Sequence, residues 1–168
     1  FDVVIVGGAI AGASTALLLR RWHPHLSVLV VEKSDAFDWK VGESTVEISA
    51  YFLTRVLRLY DYLSREQLPK QGFRYWFHRG DVKSVREASE VGPTQLARTP
   101  SFQLDRAKLD EHVLALAETE GAEVWRPARA VEIHLGDESG PGSLSRLLVE
   151  RDGQRLEVFA GWVVDASG

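Results

Sequence analysis

The sequence predicts an α/β fold in which a parallel sheet is covered by a layer of helices and carries an antiparallel β-meander. Two continuous aliphatic runs, Val3–Val6 and Val28–Val31, flank a helical stretch near the start of the chain. Such runs are typical of strands that are buried on both faces. Three strand-like runs between residues 129 and 159 are separated only by short turn segments, 136–142 and 152–153, which indicates the meander.

The first two strands are expected to be joined by a helix over residues 13–22. This segment is rich in helix formers, and Pro24 follows its end. A parallel pair of strands joined in this way forms a right-handed βαβ unit.

Residues 43–64 predict a second helical region. Ser44 and Glu47 have the spacing of a capping box at its start. Apolar residues then recur at helical spacing, namely Ile48, Phe52, Val56, Leu59 and Leu63. Short strands are expected at residues 73–78 and 82–85, and a loop at residues 89–100.

A third helix is predicted between Asp105, a good N-cap, and Gly121, a suitable C-terminal stop. Its apolar stripe is expected to consist of Leu109, Val113, Leu116 and Ala117. A short strand should begin at Val124, and Val163 and Val164 should return to the sheet as a last buried strand.

The composition argues against several classes of function. The 168 residues are 45% hydrophobic and 26% charged, as in an ordinary globular domain. The net charge of −4 argues against nucleic acid or an anionic membrane as the main partner. Cysteine is absent, which suits a cytoplasmic location, and no apolar run reaches the roughly 18 residues that a membrane span needs. The five histidines show no metal-ligand spacing, so no metal site is expected.

Residues 7–12, with the sequence GGAIAG, match a phosphate-binding turn of the form G-x-A-x-x-G. Glycine at the first position permits the tight turn, a small third residue lets a pyrophosphate approach, and the last glycine lets helix and strand pack closely. The N-terminus of the following helix offers unpaired N–H groups and a positive dipole end. The turn lies between a buried strand and a helix, as the motif requires. We assign to this nucleotide site Gly7, Ala9, Ile10, Ala11 and Gly12.

Glu32 stands at the end of the second strand, twenty positions after Gly12. A carboxylate there accepts hydrogen bonds from ribose hydroxyls, and its charge repels a 2′-phosphate, so NADP is not expected. We assign the neighbouring Lys33 to the same cofactor site. NAD and FAD fit these residues equally well.

The rest of the chain distinguishes these two cofactors. An NAD domain would continue with strand–helix units, whereas this chain has a helical insertion, QLDRAKLD at residues 103–110, the meander, and DASG at residues 165–168. This succession resembles the flavoprotein hydroxylase and flavin-dependent halogenase superfamily, with its glutathione-reductase-like FAD-binding domain. The resemblance implies that Arg106 pairs with the FAD diphosphate or ribityl chain, that the backbone near Ala130 contacts the adenine, and that Asp165 closes against the nucleotide.

Two segments resemble halogenases more narrowly. Residues 40–45, KVGEST, are similar to a loop beside the flavin ring in halogenases and in geranylgeranyl-reductase-like flavoproteins, which implies that Gly42 and Ser44 contact the cofactor. Ser44 can also cap the following helix, whose N–H groups would then face an anionic flavin or a halide. Residues 70–77, KQGFRYWF, resemble the halogenase segment whose lysine lies between flavin and substrate, which implies that Lys70 is catalytic. Other flavoproteins with the Gly-Glu-Ser loop need no such lysine.

The expected function is therefore that of an FAD-dependent oxidoreductase that uses reduced flavin and O₂ to oxidise or halogenate a small-molecule substrate. A halogenase would also need a halide and a flavin reductase. The alternative is a flavin hydroxylase, or a reductase or desaturase acting on a polyprenyl or polyene substrate. A non-catalytic binding module of the Rab-escort type is a third possibility, against which Glu32 and the open glycine turn argue.

We expect residues 1–168 to form an FAD-binding domain that is incomplete at its C-terminal end and lacks the substrate domain. The sequence contains no methionine and stops where a strand runs into a turn. Part of the active site is therefore expected to lie outside this sequence.

Overall fold

The computed structural model of the chain describes residues 1–81, 83–95, 100–136 and 143–168. They form two units: unit 1 comprises Phe1–Val41 and Arg106–Gly168, and unit 2 comprises Gly42–Asp105. The strands of these described residues are β1 (Val3–Val6), β2 (Val28–Val31), β3 (Leu68–Lys70), β4 (Tyr75–Phe77), β5 (Ser89–Val91), β6 (Ser101–Gln103), β7 (Glu123–Trp125), β8 (Ala128–His134), β9 (Ser145–Arg151), β10 (Gln154–Ala160) and β11 (Trp162–Asp165). The α-helices are α1 (Ile10–Trp22), α2 (Glu47–Tyr51), α3 (Tyr60–Glu66) and α4 (Arg106–Thr119).

Unit 1 is built on a parallel sheet with the strand order β11-β1-β2-β7. Val4 and Ile5 in β1, and Leu29 and Val30 in β2, are fully buried, so both faces of the central strands are covered. Helix α1 packs against β1, β2 and α4. The predicted α/β fold and its βαβ start are confirmed. Val163 and Val164 do return to the sheet, but β11 is a partly exposed edge strand beside β1 and not the buried strand that was expected.

The meander of unit 1 is an antiparallel sheet with the order β10-β9-β8, which connects β7 to β11. Its inward side chains pack on the parallel sheet in one core, formed by Val4, Leu29, Val31, Ala128, Leu147, Val149, Val158 and Ala160. The predicted meander is confirmed, although residues 137–142 of its first turn lie outside the described residues. A register shift between Ala130 and Glu132 marks a bulge in β8.

The helices of unit 1 follow the sequence signals closely. Helix α1 begins at Ile10, three residues before the expected start, and ends at Trp22. Helix α4 begins directly after Asp105, and Gly121 has a φ of +95°, a conformation that favours glycine after a helix. The buried face of α4 includes Leu114 rather than the expected Leu116, because position 114 lies on the same face as positions 110, 113 and 117.

The helical region of unit 2 differs from the prediction. It is divided into α2, a π-helical segment (Phe52–Val56) and α3, and Arg58 breaks it with a φ of +58°. The predicted capping box of Ser44 and Glu47 is wrong. Helix α2 begins at Glu47, its N-cap is Val46, and no side chain caps it. Residues 43–45 instead pair with the segment 102–104: the N–H of Thr45 donates to Phe102 O at 3.0 Å. Tertiary pairing thus overrides a local capping signal.

The strands predicted after residue 72 also need correction. The strand expected at 73–78 is limited to β4, and it pairs antiparallel with β5, which lies in the expected loop 89–100. Val82, in the strand expected at 82–85, lies outside the described residues, as do residues 96–99. Val85 begins a 3₁₀ turn instead, because the Ser84 hydroxyl accepts the N–H of Arg86 and satisfies its start.

Within the described residues, the longest helices are too short and too polar to cross a lipid bilayer.

Candidate functional site

The turn between β1 and α1 leaves no room for side chains at two glycines. Gly7 has a φ of +101°, and a Cβ there would lie 2.3 Å from the carbonyl oxygen of Ala166. A Cβ on Gly12 would lie 1.8 Å from the carbonyl oxygen of Gly7. The turn, the start of α1 and the end of β11 therefore approach one another as closely as backbone allows.

The N-terminus of α1 has no capping side chain and no acidic residue in its first turn. Ala9 is its N-cap and supplies no side-chain hydrogen bond, and the first turn contains no acidic residue. The N–H groups of this first turn therefore receive no hydrogen bond from a capping side chain, and they lie at the positive end of a 13-residue helix. An anionic group such as a phosphate fits this position.

Glu32 lies directly after β2 and is only 4% exposed. Its Oε2 accepts a 2.7 Å hydrogen bond from the N–H of Gly8, and its Oε1 accepts a 2.8 Å bond from the N–H of Ser34. Burial raises the pKa of Glu32, but these bonds, the Ser34 hydroxyl and the charge of Lys40 outweigh it and hold the pKa below its ordinary value. Glu32 is thus an ionised carboxylate that fixes the turn, and each oxygen can still accept a ribose hydroxyl.

A cleft of about 190 Å³ opens beside this carboxylate. It is lined by Val6, Gly7, Val31, Glu32, Lys33, Ala128, Arg129, Ala130 and Ser167. Four residues that the sequence assigned to the cofactor, Gly7, Glu32, Lys33 and Ala130, therefore meet in one place. Arg129 and Ser167 also line the cleft but were not predicted from the sequence, although each lies within two positions of an assigned residue.

Asp165 does not line this cleft, but it forms hydrogen bonds with Ser167, which does. Its Oδ1 accepts the N–H of Ser167 at 3.0 Å and the Ser167 hydroxyl at 2.7 Å. These two bonds lower the pKa of Asp165 from its ordinary value. Ser167, which Asp165 holds in place, lines the cleft, and the contact between Asp165 and the nucleotide stays a prediction.

A second, larger cleft of about 430 Å³ shares Lys33, Ala128 and Arg129 with the first. Its other walls come from the β9–β10 hairpin, including Arg151 and Arg155. The sequence gives no local signal for this cleft, because its residues are spread over three separate segments of the chain.

Arg106 makes three hydrogen bonds that the sequence did not predict. Its Nε and Nη2 donate to the two carboxylate oxygens of Asp110 at 2.9 and 3.0 Å, and its Nη1 donates to Val41 O at 3.1 Å. Asp110 is fully buried. A cation in the first turn of a helix is unfavourable by itself, and the carboxylate one turn later compensates it.

Unit 2 contains the other assigned residues. Lys70 Nζ donates to Ser44 Oγ at 2.8 Å and to Thr45 O at 2.6 Å, and it lies 3.5 Å from the centre of the Phe73 ring. Gly42 has a φ of +91°, which a residue with a side chain rarely adopts. Ser44, which the capping prediction placed at a helix start, is instead a hydrogen-bond partner of Lys70.

The part of the chain that the structure describes has no cluster of three or more His, Asp or Glu side chains that could hold a metal ion.

Known proteins resemble this chain in sequence over its whole length. It is 28% identical to the flavin-dependent halogenase chlA of Dictyostelium discoideum and 25% identical to the flavin-dependent halogenase armH3 of Armillaria mellea. The alignments cover 100% and 99% of this chain, but 31% and 32% of those proteins. The chain therefore spans about a third of the length of the curated relatives it matches.

Solved structures share the fold. The myxobacterial chondrochloren halogenase CndH matches with a TM-score of 0.80 at 22% identity, over 100% of this chain and 37% of that one. The halogenase PltM in complex with phloroglucinol and FAD matches with a TM-score of 0.78 at 23% identity, over 99% of this chain and 34% of that one.

A family model described as tryptophan halogenase matches residues 2–86, just over half of the chain. The matched segment contains the glycine turn, Glu32, the Gly-Glu-Ser-Thr loop and Lys70. The chain belongs to the tryptophan halogenase family.

Proposed function

We propose that this chain binds FAD and that unit 1 holds the ADP half of the cofactor. The observation that carries this proposal is the cleft in which Gly7, Glu32 and Ala130 meet beside the uncapped start of α1. The residues present fit the cofactor. Gly7 and Gly12 have no side chains that would keep a phosphate away from the backbone of the turn, and the ionised Glu32 carboxylate is a hydrogen-bond acceptor at the cleft. PltM, which shares the fold, was solved with FAD.

Each group of the nucleotide has a suitable partner in unit 1. The N–H groups of Ile10, Ala11 and Gly12 at the start of α1 would bind phosphate oxygens. Glu32 would accept the ribose hydroxyls, with Lys33 beside it, and the backbone of Ala130 would contact the adenine. Arg106 retains two N–H groups for the diphosphate.

The reaction that we propose is halogenation of a small organic substrate. A C–H bond of the substrate is replaced by a carbon–halogen bond, and O₂ is reduced to two molecules of water by electrons from reduced flavin and from the halide. FAD, when bound, supplies this redox chemistry. Membership of the tryptophan halogenase family and the relatives named flavin-dependent halogenases favour this reaction over hydroxylation or polyene reduction.

The proposed partners follow from this reaction. They are a small organic substrate, O₂, a halide and a flavin reductase that supplies reduced flavin. We propose that residues 1–168 are the FAD-binding part of a longer protein, since the relatives are about three times as long. A cytoplasmic location rests on the cysteine-free composition alone.

Lys70 is the residue that we propose as catalytic. Its ammonium has three N–H groups, and the structure occupies them with Ser44, the carbonyl of Thr45 and the ring of Phe73. The bond to Ser44 is the exposed one, so an oxidant can replace it most easily. The fixed ammonium can then hydrogen-bond hypohalous acid, or it can lose a proton to solvent and react as an amine to form a haloamine with release of water, and so direct the halogen to the substrate.

Halide-dependent product formation tests this role in the wild type, Lys70→Ala and a control. Lys83→Ala removes an exposed lysine of the same unit and serves as that control. Phloroglucinol, the compound bound to PltM, is a first probe among small aromatic substrates. We expect Lys70→Ala to bind FAD and to reoxidise flavin with O₂ but to lose the halogenated product, while Lys83→Ala keeps it. Turnover that needs no halide and survives Lys70→Ala would contradict halogenation and leave FAD binding intact.

A further inference from the structure

The buried carboxylate in α4 that pairs with Arg106 has so far been described only as compensating the charge of that arginine. Asp110 is fully buried, and Leu109, Val113 and Leu114 around it in the helix are buried as well. An ionised carboxylate in such surroundings is costly unless a cation and hydrogen bonds compensate it. The only cation that bonds to it among the described contacts is Arg106, one helical turn earlier.

The two side chains form a bidentate pair. The side edge of the guanidinium, Nε and Nη2, faces the two oxygens of Asp110 at 2.9 and 3.0 Å. This fork geometry fixes the plane of the guanidinium as well as its position. The carbonyl oxygen of Val41 takes a third N–H at 3.1 Å. Val41 and Arg106 are the two residues of unit 1 that border unit 2 along the chain.

The hydrogen bonds among the described residues use three N–H groups of Arg106, which leaves one on Nη1 and one on Nη2 for a ligand. The Arg106 side chain is 13% exposed, whereas that of Asp110 is fully buried. Asp110 is therefore the fully buried member of the pair, and the Arg106 side chain is the member that reaches solvent. A guanidinium with its inner edge fixed offers its remaining N–H groups at little entropic cost.

We propose that Asp110 is a positioning residue that holds Arg106 for the diphosphate of FAD. Without the carboxylate, the arginine at the first turn of α4 would be repelled by the helix dipole and free to rotate into water. With it, the guanidinium is oriented before the cofactor arrives, so binding loses less side-chain freedom. This inference rests on the proposed FAD binding.

The test is the FAD affinity of the full-length apoprotein, measured by quenching of flavin fluorescence. The variants are Asp110→Asn, Arg106→Lys and the double variant, with Glu118→Gln as the control, since Glu118 is an exposed acid on the same helix. We expect Asp110→Asn to weaken FAD binding about tenfold, because a charge-assisted pair is lost. In the Arg106→Lys background, Asp110→Asn should have little further effect, and Glu118→Gln should bind FAD like the wild type.

The effect of Asp110→Asn in the Arg106→Lys background, compared with its effect in the wild type, separates a positioning role from a merely structural one. If Asp110 only stabilised the fold, its substitution would weaken FAD binding equally in both backgrounds, and that result would overturn the proposal. Unchanged affinity in folded Asp110→Asn would overturn it as well. If Asp110→Asn does not fold, Asp110→Glu keeps the charge but shifts the carboxylate by one methylene, and it should still lower the affinity. A wild-type protein that fails to bind FAD would instead refute the proposed function.

Discussion

At the scale of single residues, Glu32 shows what position in the sequence can predict and what it cannot. Its distance from the glycine turn predicts an acceptor at the end of β2, and the structure places it in the cleft. The hydrogen bond from Gly8 has no local sequence signal, because it depends on how the turn after β1 meets the end of β2, whereas the bond from Ser34 lies within the segment that follows β2. Glu32 therefore fixes the turn, and we propose that it also binds the ribose.

Glu32→Ala should weaken FAD binding by about tenfold or more, since charge-assisted hydrogen bonds to the ribose are lost. Fluorescence titration of the apoprotein measures the dissociation constant. Glu118→Ala removes an exposed acid from unit 1 and should leave the affinity unchanged. Wild-type affinity in folded Glu32→Ala would show that another residue binds the ribose.

The lowered pKa of Glu32 also predicts how stability depends on pH. A carboxyl whose pKa is lower in the folded state stabilises the fold above its ordinary value of 4.5, and this contribution is lost as the pH falls through the folded pKa. Urea unfolding of the apoprotein between pH ~7 and pH ~3 should therefore show a steeper acid loss for the wild type than for Glu32→Gln. Parallel curves for the two proteins would mean that the pKa is not lowered by folding.

At the scale of elements, strands and long helices could be predicted, whereas short local signals failed. The sequence alone predicts β1 and β2 from their aliphatic runs and α4 from its apolar stripe. The capping signal at Ser44 is short, and the pairing of residues 43–45 with 102–104 replaced it. Lys70 was assigned by resemblance, but its hydrogen bond to Ser44 joins residues 26 positions apart, which no local pattern reports.

The turn between β1 and α1 gives an element-scale prediction. Gly12→Ala should destabilise the protein by about 3 kcal/mol or more, because its Cβ has no room beside the Gly7 carbonyl and the backbone must move. Gly153→Ala is the matched control: its φ is +74° but a Cβ there would meet no atom within 4 Å, so only backbone strain of about 1 kcal/mol is expected. Thermal unfolding of both variants provides the comparison. Equal losses would show that the close approach at Gly12 does not exist.

At the scale of the whole molecule, the prediction of the fold and the cofactor depended mainly on the order of the elements along the chain. A glycine turn alone fits several nucleotide-binding proteins. The succession of the helical insertion, residues 103–110, the meander and residues 165–168 favoured FAD through its resemblance to flavoproteins. The division of the helical insertion into three segments was not predictable, since the break at Arg58 is a non-glycine residue with positive φ. Family membership then agreed with the resemblance found in the residues themselves.

FAD content tests the central claim most directly. The full-length protein, purified without added flavin, should be yellow, and heat denaturation should release a flavin that chromatography identifies as FAD rather than FMN or riboflavin. A preparation that has lost its cofactor should take up added FAD and regain the colour, with Glu32→Ala doing so more weakly. A colourless protein that also fails to take up added FAD would contradict the account and favour a binding module that has kept this fold without its cofactor.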